Sequence, residues 1–179
     1  MRLFIAFEVS KEAGQHLSLL QKQLVTDNAK ITLAKVFHLT LKFLGEVSPA
    51  KAEEVRKRLE SIKFEPFTAS LDGTGVFPSE SSVRVVWVGL EPKDIICNLQ
   101  KQIDEALHGL FPKEKEFQPH ITLARVKTVK DKKQFAEHIK SLKVKPISFE
   151  VKHIKLIESQ LTGEGHVYRD IAVFPPQPL

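Results

Sequence analysis

The chain has 179 residues, a net charge of +5 and an ordinary apolar share of 42%, enough to core one domain, 1–179, built as two small lobes. Its single cysteine, Cys97, excludes a disulfide framework and a cysteine-rich zinc site, and no window approaches the ~18 apolar residues of a membrane helix. The basic balance, with a sequence pI of about 9.3, tilts the choice of partner toward polyanions, RNA or nucleotides first.

Met1–Val9 reads as a short, strongly apolar strand. Ser10 is a candidate cap for a helix over Lys11–Leu24, whose Leu17, Leu20 and Leu24 repeat at helical spacing. Asp27–Lys30 reads as a loop, Lys35–Leu44 as a strand. Ser48-Pro49 opens a helix to about Ile62 with a cap followed by proline. Phe67–Leu71 is strand-like, Asp72–Gly75 a turn or bulge, Val83–Gly89 a strand and Pro92–Leu110 a helix. Phe117–Val126 is a further strand. Thr128 is expected to cap a helix through about Leu142, and Ile147–Ile157 and Val167–Phe174 to form the closing strands. The tail Pro175–Leu179 is expected to be an extended end without structure.

Two segments in this series are nearly alike: His38-Leu39-Thr40-Leu41 and His120-Ile121-Thr122-Leu123, 82 residues apart. Each falls in a strand. Strand alternation puts His38, Thr40 and Lys42 on one face and Leu39, Leu41 and Phe43 on the core face; His120 and Thr122 share a face in the same way. Groups two residues apart on a strand lie about 7 Å apart, a spacing that lets an imidazole and a hydroxyl grip different atoms of one phosphate. A helix and then strands follow each motif, a weak repeat. The expectation is an α+β fold: two pseudo-symmetric α/β lobes whose antiparallel sheets face a central cleft. Two imidazoles in one cleft supply both an acid and a base, as phosphoester chemistry requires.

Phe37-His38-Leu39-Thr40-Leu41-Lys42-Phe43-Leu44-Gly45 together with Gln118-Pro119-His120-Ile121-Thr122-Leu123-Ala124-Arg125-Val126 resembles the two-histidine (2H) phosphoesterase superfamily. Within it the chain is most similar to the 2′-5′ RNA ligase family, also described as RNA 2′,3′-cyclic phosphodiesterases. Arg2–Phe7, Phe77-Pro78 with Arg84–Trp87, and Ser159 with Tyr168 fit the same pattern. The resemblance implies hydrolysis of a terminal RNA 2′,3′-cyclic phosphate to a 2′-phosphate, with 2′-5′ joining of RNA ends by some members and no cofactor. It also implies His38 as proton donor, His120 as proton acceptor, and Thr40, Thr122 and Arg125 as phosphate ligands. Alternation from His120 puts Arg125 on the wrong face for that role, so reaching the cleft requires a bulge, a strand end or a side chain that wraps round.

Tyr168, Lys42 and Phe4 are further candidates for substrate contact. His38 and His120 lack a third partner at a metal-ligand spacing, so no metal is expected. His16, His108, His138 and His153 read as surface residues, and Cys97 as a small core residue. The expected partner is RNA with a cyclic phosphate end, and the expected setting is a cytoplasmic monomer. Two alternatives remain open: a phosphodiesterase acting on a small cyclic nucleotide or a 2′-5′ oligonucleotide, and a non-catalytic RNA-binding module.

Overall fold

A computed structural model of the chain describes residues 1–178. In chain order the elements are β1 (Arg2–Glu8), α1 (Lys11–Leu24), β2 (Ala29–Leu33), β3 (His38–Glu46), α2 (Pro49–Leu59), β4 (Phe67–Ser79), β5 (Ser82–Glu91), α3 (Lys93–Ala106), β6 (His120–Val129), α4 (Lys132–Ser141), β7 (Ser148–Val151), β8 (Ile154–Thr162) and β9 (Gly165–Phe174). None of the described helices is long and apolar enough to cross a membrane.

Local chemistry explains most of these boundaries. Ser10 and Ser48 each accept a hydrogen bond from the backbone N–H three residues on, at Ala13 and Lys51, and so start α1 and α2. Asp131, not Thr128, caps α4 by accepting from the Gln134 N–H. Thr128 is still in β6, because β2 pairs with that strand through Lys30 and Thr128 and prolongs it. The segment read as a loop at Ala29–Lys30 is therefore a strand, whose partner is remote in sequence. Asp72-Gly73 form a bulge inside a continuous β4, between the Leu71–Leu90 and Thr74–Val88 pairs. The tail is not free throughout: Gln177 bridges Phe64, and its side chain donates to the Glu60 carbonyl. Leu179 lies outside the described residues.

The strands form one antiparallel, curled sheet in the order β7-β4-β5-β6-β3-β1-β8-β9, with β2 added alongside β6. Its two halves draw on both halves of the chain. β5 pairs with β6 and β4 lies beyond β5, while the late strands β8 and β9 extend from β1. The halves meet at the centre through a single pair, Leu39–Ile121, where β3 touches β6. The strands that carry the two motifs, β3 and β6, are thus neighbours at the centre of the sheet.

The helices cover the other face. Leu39, Leu41, Ile121 and Leu123 join Leu17, Leu20, Ile96, Leu99 and Phe135 in one core, and fully burying a side chain of this size stabilises by roughly 1.5–3 kcal/mol. β1 is buried on both faces. Leu3, Ile5 and Phe7 point to the main core, whereas Phe4, Ala6 and Ile157 form a small cluster on the cleft side. That double burial explains the unbroken apolar run at the N-terminus. His16, expected at the surface, is instead buried, and its Nε2 accepts the Lys145 backbone N–H at 2.9 Å.

Candidate active site

Each motif strand carries a β-bulge at the same place, three residues past its histidine. Along β3, Thr40 pairs with Ala6 and Lys42 with Ile5, leaving Leu41 as the extra residue. Along β6, Thr122 pairs with Trp87 and Ala124 with Val86, leaving Leu123 extra. A bulge shifts the two-residue alternation by one, so every side chain beyond it changes face. Leu41 and Lys42 both point inward, as do Leu123 and Ala124. Five residues past each histidine the chain turns outward again, at Phe43 and at Arg125.

Three expectations change for this one reason. Arg125 reaches the histidine face, by the bulge that alternation alone requires. Lys42, expected to face the cleft openly, is 3% exposed and pairs with Asp104 at 2.6 Å, and it borders the cavity beside His120 only from within the core. Phe43, expected in the core, is 65% exposed. Phe4 is also corrected as a substrate contact: at 3% exposure it lies beneath His38, with ring centroids 4.9 Å apart, and cannot offer a face to a ligand.

The four motif side chains lie together at the seam. The antiparallel sense around the Leu39–Ile121 pair sets Thr122 beside His38 and Thr40 beside His120, so a pseudo-two-fold axis through that pair exchanges the motifs. Each imidazole sits between two aromatic rings. Phe4 and Tyr168 flank His38, at 4.9 and 5.6 Å between centroids. Phe77 and Trp87 flank His120, at 4.9 and 5.9 Å. Trp87 in turn lies flat over Gly75, where a Cβ would fall 2.2 Å from its ring, so only glycine fits there. Tyr168 is 36% exposed, and beyond it the ring of His166 stacks on it while bonding Ser159.

The surroundings distinguish the two imidazoles, which the sequence alone does not. His120 Nδ1 lies 2.7 Å from the Gln118 carbonyl oxygen, to which it must donate. That bond fixes the tautomer and leaves Nε2 as the free nitrogen. Burial lowers the pKa of His120, partly opposed by the Gln118 contact and reinforced by Arg125. Burial also lowers His38, to about 4, against the opposing charge of Glu8 and with a smaller push from His120. Two basic nitrogens, two hydroxyls and a guanidinium thus line one face.

A cavity of about 390 Å³ opens beside His120, lined among others by Thr40, Phe43, Phe77, Glu114, Phe117 and Gln118. Phe43, Phe117 and the Gln118 carbonyl escape a reading based on alternation. The signal for Phe43 was available in the two motif copies: a bulge that turns Arg125 to the histidine face, repeated in the first copy, turns Phe43 the same way. Among the described residues no three His, Cys, Asp or Glu side chains converge as a ligand set for a metal.

Residues 14–163 match the family model described as the 2′-5′ RNA ligase superfamily. A protein of Methanocaldococcus jannaschii named RNA 2′,3′-cyclic phosphodiesterase is 35% identical over 173 residues, covering 96% of this chain and 98% of that protein. One of the same name from Archaeoglobus fulgidus is 33% identical, covering 97% and 99%. Among solved structures, TT0787 of Thermus thermophilus superposes with a TM-score of 0.80 at 26% identity over 99% of each chain. Escherichia coli LigT complexed with 3′-AMP superposes with a TM-score of 0.76 at 26% identity, covering 98% of this chain and 97% of that one. With two bulged His-x-Thr strands meeting at the seam of one curled sheet and matches that span nearly the whole chain, the protein belongs to the 2′-5′ RNA ligase superfamily.

Proposed function

We propose that the chain opens a 2′,3′-cyclic phosphate at an RNA end to a 2′-phosphate, without a metal, with His120 as proton acceptor and His38 as proton donor. The observation that carries this reading is the convergence of the two bulged motifs, which sets both imidazoles, both threonines and Arg125 on one face of the sheet. Names borne by relatives such as the Methanocaldococcus jannaschii protein support the substrate class.

Water gives its proton to His120 Nε2 as its oxygen bonds to phosphorus. The bond from phosphorus to the 3′ oxygen breaks, and His38 protonates that oxygen. The products are a 2′-phosphate and a 3′-hydroxyl. Thr40 and Thr122 donate to the non-bridging oxygens, whose charge grows in the transition state, and Arg125 adds a charge-assisted contact. Because burial keeps His38 neutral in the free protein, the anionic substrate must supply the field that charges it. A 5′-hydroxyl in place of water gives a 2′-5′ linkage by the same steps, driven by the strain of the ring and needing no nucleotide cofactor.

The test is turnover of an oligonucleotide ending in a 2′,3′-cyclic phosphate, in EDTA, with the position of the product phosphate read by NMR. His38→Ala and His120→Ala should each lose about 10²- to 10⁴-fold in rate; a variant of either that retains full activity overturns the mechanism. The cavity beside His120 is of a size for a single nucleoside, which favours a second reading with a small cyclic nucleotide as substrate. Equal kcat/KM on mononucleotide and oligonucleotide cyclic phosphates would select that reading. Binding with no turnover on either would select a non-catalytic module.

A further inference from the structure

The bulge that turns Lys42 inward gives it a specific set of partners. Its ammonium donates to Asp104 Oδ1 at 2.6 Å and to the Pro112 carbonyl at 2.7 Å, with Glu114 at 3.7 Å. The other Asp104 oxygen accepts from the Gln100 side chain at 2.8 Å and from the Glu114 backbone N–H at 3.0 Å. Gln100 and Asp104 are one turn apart on α3, and the Lys42 and Asp104 side chains are 2% and 7% exposed. The corresponding place in the second motif is filled by Ala124, so a small apolar residue satisfies the bulge. An ion pair costs desolvation that an apolar residue avoids. What the pair does, and an alanine cannot, is grip the backbone of the connection from α3 to β6 at two points, Pro112 and Glu114.

That connection forms the cavity wall. Glu114, Glu116, Phe117 and Gln118 line the cavity, and the Gln118 carbonyl receives the His120 Nδ1–H. We propose that Lys42 and Asp104 are positioning residues, clamping the segment 112–118 so that its lining side chains meet the substrate and its Gln118 carbonyl holds His120. The inference rests on the reading of His120 as the reacting base.

The experiment compares the wild-type chain with K42M/D104L, which removes both charges and leaves neither alone in the core. The wild-type Glu114 amide should exchange at least about 100-fold more slowly than its neighbour Lys115, because its N–H is held by a buried carboxylate. In the folded double variant that protection should vanish. The ¹⁵N signals of His120 should move toward a mixture of tautomers, and KM for a nucleoside 2′,3′-cyclic monophosphate should rise at least about tenfold, the loss expected from one misplaced polar contact. Wild-type Glu114 exchanging as fast as Lys115 overturns the proposal, as does a folded double variant with unchanged KM, kcat and His120 signals. Should the double variant fail to fold, the wild-type exchange rates decide alone. Exchange and NMR need no turnover, so an inactive wild-type chain refutes the phosphodiesterase reading and leaves the clamp to be judged separately.

Discussion

Replacing His38 with glutamine should make the protein more acid-resistant, by an amount that follows from where the imidazole sits. Packed between Phe4 and Tyr168, His38 has its pKa lowered from 6.5 to about 4, chiefly by burial. Below pH 6.5 the unfolded chain takes up a proton at this site that the folded chain refuses until about pH 4. Stability is therefore lost as the pH falls through that window and is unaffected above it. Linkage puts the loss at about 2 kcal/mol at pH 5 and near zero at pH 7.5. Any packing cost of His38→Gln acts equally at both pH values, so the informative quantity is the change in the difference between variant and wild type. Urea unfolding followed by circular dichroism at pH 7.5 and pH 5 measures it, and the variant should gain about 2 kcal/mol relative to wild type between the two. An unchanged difference would mean that His38 titrates as an exposed histidine, and would refute the account of its burial.

The same burial predicts that inorganic phosphate, as an anion beside His38, raises the pKa of that imidazole in NMR titrations and binds more tightly at pH 5.5 than at pH 8; equal affinity at both would argue against contact. Arg125→Met should lower kcat/KM about tenfold to 100-fold, the worth of a hydrogen bond to a charged group, whereas an unchanged value would leave the bulge without a role in phosphate binding. Gly75→Ala should destabilise by about 1–3 kcal/mol in thermal melts through overpacking, because its Cβ would meet the Trp87 ring at 2.2 Å; a wild-type melting temperature would show that the indole does not rest there. Ser48→Ala should cost about 1 kcal/mol from loss of the cap, read by the same melts.

Much of the architecture was legible because it is local. Ser10 and Ser48 start helices by bonding backbone three residues ahead, and leucines at helical spacing make an apolar stripe wherever the helix lies. The two His-x-Thr pairs are equally local, since strand alternation puts an imidazole and a hydroxyl on one face without reference to any neighbour. Failures cluster where the answer depends on a remote partner. Ala29–Lys30 become strand only because β6 is beside them, and His16 is buried only because the Lys145 backbone closes over it.

The amino-acid sequence by itself determined which groups meet: two imidazoles and two hydroxyls, in strands 82 residues apart, with the residue types that phosphoester chemistry uses. Tertiary structure decided how they meet and what surrounds them. A bulge is a mismatch in count between two strands, one extra residue against a partner, so it exists only once β1 lies against β3 and β5 against β6. That mismatch turns Arg125 to the face of its strand that carries His120, sends Lys42 to Asp104 and exposes Phe43. It also lets two motifs alike in sequence present unlike chemistry, with an aromatic ring beyond one histidine and a guanidinium beyond the other.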